Sequence, residues 1–217
     1  VDEMRAARER MIQEHLAARG IRDARLLDAF RRIPREFFVP EEHRPWAYAD
    51  TPLPIGYGQT ISQPYIVARM VSMLTLRGGE RVLEVGAGSG YQAAILSLLA
   101  AEVHTIERIP ALAARAAEAL RAAGRENVFV HEGDGTLGWE AAAPYDAVLV
   151  AAAAPDVPSP LLEQLTEGGR LVIPVGGRGM QFLERWTREG KTFRRERDIA
   201  VSFVPLVGER GWGENFA

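Results

Sequence analysis

Three acidic residues stand at or near the ends of successive apolar runs, two of them close to glycines. Glu84 precedes the loop Gly86-Ala87-Gly88-Ser89-Gly90-Tyr91, Glu107 closes the next apolar run, and Asp134 sits between Gly133 and Gly135 after the third. Glycine is needed where backbone must approach a ligand closely or take positive φ. The spacing is Gly-x-Gly-x-Gly, whereas the dinucleotide fingerprint requires glycine where Tyr91 stands. No Gly-Lys-Ser/Thr follows, so the loop is not a nucleoside-triphosphate cradle. Glu84 would repel a pyrophosphate and welcome a cation. Glu107 can accept from both hydroxyls of a ribose; its plain alternative is a surface glutamate paired with Arg108. Asp134 can accept from an adenine amino group while its glycines leave room for the ring; its plain alternative is an Asp-Gly turn. Taken together, the three anchors describe a phosphate-free, positively charged nucleoside. S-adenosylmethionine, with its ammonium and sulfonium, meets that description.

The elements that would position these residues follow from periodicity. Residues 3–19 read as a helix with Gly20 as its cap, and Asp23–Arg32 as a second helix with Asp23 as N-cap. Residues 41–63 are non-periodic and rich in proline and glycine, yet hold Trp46, Tyr48 and Tyr57, which points to a functional loop rather than disorder. Residues 64–76 resume a helix, with Pro64 in its first turn. Strands are expected at Arg81–Val85, Glu102–Ile106, Asn127–His131, Tyr145–Ala151 and Gly169–Val175, with helices at Tyr91–Leu99, Pro110–Ala123 and Ser159–Thr166. Alternating strands and helices imply βαβ units. Gln181–Leu206 holds further β-like runs around a hairpin turn at Glu189-Gly190-Lys191. The fold class is α/β: a Rossmann-like, mostly parallel sheet flanked by helices, with an N-terminal helical prefix and antiparallel C-terminal strands. One domain is expected, with a prefix and active-site loop (1–76), a cofactor-binding core (80–176), and antiparallel strands and tail (180–217).

Composition narrows the chemistry. The chain has 217 residues, long enough to bury roughly 70% of its unfolded surface. Its net charge of -3 offers no global basic field for nucleic acid. The absence of cysteine removes disulfides, thiolate nucleophiles and zinc–thiolate sites together. The four histidines show no His-x-x-x-His spacing, and no metal is expected. No apolar run reaches the ~18 residues of a membrane helix, and no signal peptide is evident. A cytoplasmic protein without a membrane partner is the expectation, with a monomer as its default state.

Two blocks carry a family resemblance: Arg31-Arg32-Ile33-Pro34-Arg35-Glu36-Phe37-Phe38-Val39-Pro40, and Pro52-Leu53-Pro54-Ile55-Gly56-Tyr57-Gly58-Gln59-Thr60-Ile61-Ser62-Gln63-Pro64. With the glycine loop and Tyr91-Gln92-Ala93-Ala94-Ile95-Leu96, they resemble the protein-L-isoaspartate O-methyltransferases, a family of class I S-adenosylmethionine-dependent methyltransferases. The resemblance runs from about residue 11 to 207. It implies methylation of the free carboxylate of L-isoaspartyl residues in damaged proteins and peptides. S-adenosylhomocysteine is the co-product, and the ester cyclises unaided to a succinimide. It also implies that Ser62 is the catalytic residue and that Gln59, Thr60, Ile61 and Ser62 lie between cofactor and substrate. Cofactor contacts are expected from Glu84, Gly86, Ala87, Gly88, Ser89, Gly90, Tyr91, Glu107, Arg108, Gly133, Asp134 and Gly135. Substrate contacts are expected from Leu53, Pro54, Ile55, Ser62, Val204, Pro205 and Leu206. The family segment that pairs with peptide backbone matches Val201–Val207; the alternative for this run is a closing edge strand.

The chemistry agrees with what the chain lacks. A carboxylate of pKa near ~4 is already a nucleophile at neutral pH, so no general base is required. Ser62 then serves as a hydrogen-bond donor, since no histidine lies in its motif to activate it. Capping the helix opened by Pro64 is its other possible role. One departure from the family is Ala151-Ala152-Ala153-Ala154, which lacks the usual threonine hydroxyl. The same run has neither the carboxylates of a metal-dependent catechol-type enzyme nor an Asn/Asp-Pro-Pro-Tyr motif for amines. A small-molecule O-methyltransferase and a cofactor-binding sensor without turnover are the competing readings.

Overall fold

The computed structural model describes residues 2–213 and 215. The tail positions 214, 216 and 217 lie outside the described residues, as does Val1. Helix α1 (Asp2–Arg10) runs on into a π-helical turn, Met11–Leu16, and a 3-10 turn, Ala17–Arg19. The expected single helix therefore follows one path with a widened middle turn, which buries Met11, Ile12 and Leu16. Gly20 ends it at φ 93, a conformation that suits glycine. Helix α2 (Ala24–Arg32) is capped as expected, with Asp23 Oδ1 accepting from Arg25 N at 2.9 Å and Leu26 N at 3.3 Å.

The stretch 41–63 is more ordered than its sequence suggests. A 3-10 turn, Glu41–Trp46, leads to a hairpin of strands β1 (Leu53–Gly56) and β2 (Gln59–Ile61), paired Leu53↔Ile61 and Pro54↔Thr60. The reversal is made by Gly56, Tyr57 and Gly58, all at positive φ. Helix α3 (Pro64–Leu74) follows, with Pro64 in its first turn.

The core comprises β3 (Arg81–Val85), α4 (Tyr91–Leu96), β4 (Glu102–Glu107), α5 (Pro110–Ala122), β5 (Val128–Glu132), β6 (Tyr145–Val150) and α6 (Ser159–Glu163). Strands β7 (Leu165–Gly177), β8 (Met180–Glu189) and β9 (Thr192–Val201) complete a seven-stranded sheet among the described residues, ordered β5-β4-β3-β6-β7-β8-β9. The pairs from β5 to β7 are parallel; β7-β8 and β8-β9 are antiparallel. Strand β7 starts earlier than expected because Glu167-Gly168-Gly169 is an irregularity inside the strand, not a break before it: Leu165 already pairs with Tyr145. Helix α6 is correspondingly short.

Each face of the sheet has its own core. Val82, Val103, Leu149 and Val172 pack with the prefix and α3, whereas Leu83, Val148, Leu171 and Ile173 pack with Leu161 of α6 and Tyr145. Central strands covered on both faces read as near-continuous apolar runs, which is why their positions are visible in the sequence. Strand order reverses between β3 and β6. Such a switch point opens a crevice at the carboxyl ends of the strands.

Candidate active site

The crevice is real, and the glycine loop forms its floor. Gly86, Gly88 and Gly90 sit at φ 92, 53 and 85. The amides of Gly86 and Ala87 both donate to Ile106 O, at 2.8 and 3.1 Å, which fastens the loop to β4. A Cβ on Gly90 would lie 3.3 Å from Ala116 O and Leu120, so α5 can pack against it. Ser89 Oγ accepts from Tyr91 N. The Tyr91 ring, 1% exposed, is wedged edge-on between Phe30 and Phe38, with the buried Arg35 guanidinium 5.2 Å from its centroid. Where a dinucleotide loop would carry a third glycine, this chain carries the residue that locks the prefix to the core.

Glu84 departs from expectation. It is 0% exposed and absent from the residues lining the crevice. Residues opposite one another in a parallel pair share a sheet face, and Glu84 lies opposite Thr105. Thr105 Oγ1 donates to its Oε2 at 2.5 Å and Gln92 Nε2 to its Oε1 at 3.0 Å, so the carboxyl supports the loop from beneath. Burial pushes its pKa up to about 7, against the lowering by these two hydrogen bonds. Between pH 4.5 and 7 the folded chain therefore keeps a proton that the unfolded chain has released. Its contribution to stability falls as pH rises through that window and is flat above it. Glu84→Gln is expected to remove this slope, by about 3 kcal/mol between pH 4.5 and 8; the Gln92 amide can turn to accept from the new NH2. Urea midpoints of both proteins at the two pH values check this, and parallel pH profiles would refute it.

Glu107, 6% exposed, does face the crevice. Its Oε2 accepts from Gly88 N at 2.9 Å and its Oε1 from Ile109 N at 3.0 Å. Each oxygen keeps a lone pair, the pattern that a vicinal diol needs. Arg108 is exposed beside it, and no ion pair joins the two among the described residues.

The third anchor is divided. Gly135 lines the main crevice, and a Cβ there would fall inside the van der Waals envelope of Val85 Cγ1. Gly133 and Asp134 line an adjoining cavity with Glu132, Gly208, Glu209 and Trp212; Arg108 and Val207 border both spaces. Asp134 Oδ1 accepts from Thr136 N and Oγ1, at 2.9 and 2.7 Å, and Oδ2 accepts from Glu209 N at 2.8 Å. The carboxylate thus pins the tail, and one lone pair is left for a ligand.

The roof is the β1–β2 hairpin and the run into α3. Tyr57, Gly58, Gln59, Thr60, Ile61 and Ser62 line the crevice. Leu53, Pro54 and Ile55 do not. Leu53 and Ile55 turn into the core, Ile55 against Gly88, while the alternation of the strand leaves Pro54 outside. Leu53 and Ile55 therefore support the roof from the core side, and none of the three lines the crevice. Among the described residues no group hydrogen-bonds the Ser62 hydroxyl. Nor does Ser62 cap α3: Gln63 is the N-cap residue, and Asp50 accepts from Tyr65 N at 3.2 Å and from Gln63 Nε2 at 2.6 Å.

Val204, Pro205 and Leu206 form the far wall with Ala151 and Ala152. Ala153 N donates to Val204 O and Leu206 N to Ala153 O, at 2.8 and 2.7 Å, so one edge of this segment is already paired. Leu206 O accepts from Trp212 N. Val204 N and Pro205 O are what remains for a peptide backbone. The expected loss of a threonine hydroxyl at Ala151 leaves this wall apolar. Among the described residues no group of three His, Cys, Asp or Glu side chains is placed to hold a metal, and no helix is long and apolar enough to cross a membrane.

A doubly wound sheet whose switch-point crevice carries a Gly-x-Gly-x-Gly floor, a diol-ready carboxylate and no phosphate cradle is that of a class I S-adenosylmethionine-dependent methyltransferase. The fit is tested by Glu107, whose spare lone pairs suit a ribose, and by Gly86 and Gly88, which line the crevice at positive φ; Gly90, expected to touch the cofactor, packs against α5 instead.

Comparison with known proteins makes the assignment specific. Residues 6–211 match the protein-L-isoaspartate(D-aspartate) O-methyltransferase family, and the chain belongs to it. It is 57% identical to the protein-L-isoaspartate O-methyltransferase of Methanoregula boonei over 94% of both chains. Against that of Roseiflexus sp. it is 57% identical over 95% of both. A solved protein-L-isoaspartate O-methyltransferase superposes with TM-score 0.84 at 29% identity, covering 94% of this chain and 67% of that one. A Plasmodium falciparum structure described under the same activity, in complex with S-adenosyl-L-homocysteine, gives 0.77 at 26% identity over 90% and 96%.

Proposed function

We propose that this chain methylates the free carboxylate of L-isoaspartyl residues in damaged proteins and peptides, using S-adenosylmethionine and leaving S-adenosylhomocysteine. The observation that carries this reading is the titratable content of the crevice. Among the described residues its lining holds Glu107, Arg108, the exposed Tyr57 and the buried Tyr91 but no histidine, lysine or cysteine. An alcohol or amine would need its proton removed, whereas a carboxylate at neutral pH is ionised already.

Bound cofactor supplies an electrophilic methyl group on a sulfonium. The protein's part is to hold and orient. Glu107 takes the ribose, Gly86, Ala87, Gly88, Ser89 and Gly135 lie against the nucleoside, and Gln59, Thr60 and Ile61 cover it. Ser62 donates its unengaged hydroxyl to the substrate carboxylate, and Val204 N and Pro205 O take the peptide backbone. A carboxylate oxygen forms the new bond to carbon as the sulfur–carbon bond breaks, and no proton moves. Catalysis is then alignment in a largely apolar space. Recognition through main chain tolerates many flanking side chains, which suits repair of unrelated proteins. We place the protein in the cytoplasm as a monomer, without nucleic-acid or membrane partners, in keeping with its net charge of -3.

The test is methyl transfer from labelled S-adenosylmethionine to two peptides differing only in an L-isoaspartyl or L-aspartyl linkage. Base-labile label on the first alone is the expected outcome. Label on neither, with cofactor still bound, would refute the reading in favour of a small-molecule acid or a sensor.

A further inference from the structure

The hairpin that roofs the crevice is fastened at two places of different character. Its base is apolar: Leu53, Ile55 and Ile61 are all buried, and Ile55 rests on Gly88 of the floor. Its tip, Gly56-Tyr57-Gly58, is exposed. Beside the tip, Arg115 reaches out from α5, and its Nη1 donates to Ile55 O at 2.9 Å. The same guanidinium nitrogen lies 3.7 Å from where a Cβ on Gly56 would stand. Among the described residues no other side-chain hydrogen bond links this hairpin to α5, and no carboxylate pairs with Arg115. Helix α5 begins just beyond Glu107 and Ile109, so the contact joins the roof to the end of the crevice that holds the diol-ready carboxylate.

We propose that Arg115 is a positioning residue of the cofactor site: it latches the hairpin to α5 and thereby sets how long a nucleoside stays in the crevice. A hydrogen bond from a charged donor is strong enough to change an opening equilibrium by about tenfold or more. Tyr57, Gly58, Gln59, Thr60 and Ile61 of the hairpin line the crevice, so loosening the hairpin eases the exit of a ligand beneath it, and the effect falls on release of the nucleoside product and not on the peptide. The inference rests on the cofactor reading given above.

The experiment uses S-adenosylhomocysteine as probe with the unmodified protein, Arg115→Ala and Arg115→Lys. Dissociation is followed by stopped flow, affinity by calorimetry, and amide exchange by mass spectrometry over residues 53–61. Arg115→Ala is expected to release the probe about tenfold faster and to speed exchange in the hairpin. Its thermal midpoint should hold, because the side chain is exposed and alanine favours helix. The KM for an isoaspartyl peptide should stay within twofold, and Arg115→Lys should recover part of the loss. Unchanged release and unchanged hairpin exchange in Arg115→Ala would overturn the latch alone. Failure of the unmodified protein to take up the probe would overturn the cofactor reading and the latch with it, and that is seen before any variant is compared.

Discussion

Ser62→Ala is expected to lower turnover on an isoaspartyl peptide by roughly 10²- to 10³-fold, the ~3–4 kcal/mol that one positioned donor contributes where charge is handled in a site of low polarity. The loss should fall on kcat. Affinity for S-adenosylhomocysteine should stay within about twofold, since the ribose has its proposed partner in Glu107. The fold gives no reason for a stability change either. The Ser62 hydroxyl has no partner among the described residues, and helix α3 is capped by Asp50. That separation makes the variant informative, because a serine that capped the helix would lower the unfolding midpoint along with activity. Single-turnover methylation at saturating cofactor, read beside a urea titration, tests both halves. Full turnover would remove Ser62 from the mechanism, and a lowered midpoint with matching loss of activity would return it to a structural role.

How far the sequence reveals such a site depends on which interactions are local. The central strands were legible because they are buried on both faces, and the glycine loop after β3 set the register from which Glu107 could be placed at the end of the next strand. The same double burial hid the direction of Glu84: alternation cannot say which face of a strand is the ligand side when both are apolar. Only pairing with Thr105 decides it. The roof failed for a related reason. Leu53 and Ile55 alternate like any half-buried strand, but a four-residue strand is too short to show whether its apolar side meets a ligand or the core. Long-range contacts left no trace at all. Asp50 caps α3 from outside any local capping pattern, and Asp134 holds the amide of Glu209 across the chain. The tail beyond Val207 therefore carried no signal, although Trp212 donates from Nε1 to Ala153 O beside the crevice. Tyr57 and Gly58, readable only as part of the non-periodic stretch 41–63, turn the hairpin at positive φ and also line the crevice.

Glu107→Gln should be the most damaging change to cofactor binding. The carboxylate has two oxygens, and each is already bound to a backbone amide, of Gly88 on one side and Ile109 on the other. An amide side chain has one oxygen. Whichever way it turns, its NH2 faces one of those backbone N–H groups, leaving a buried donor unmatched at a cost of ~1–3 kcal/mol. The same turn exchanges one ribose acceptor for a donor and removes the negative charge that strengthens both ligand bonds. Together these predict an affinity for S-adenosylhomocysteine lower by at least about 10²-fold, with kcat much less affected once cofactor is saturating. A second readout follows from linkage. Ligand that binds only the folded chain raises its unfolding midpoint in proportion to the logarithm of ligand concentration over Kd. A fixed concentration of S-adenosylhomocysteine that shifts the unmodified protein should leave Glu107→Gln nearly unshifted. Calorimetric affinities within threefold of one another would mean that the ribose is held elsewhere and that Glu107 only ties Gly88 to the start of α5. The neutral isostere separates these two roles more cleanly than alanine would, since it keeps the side-chain volume that packs at the end of β4.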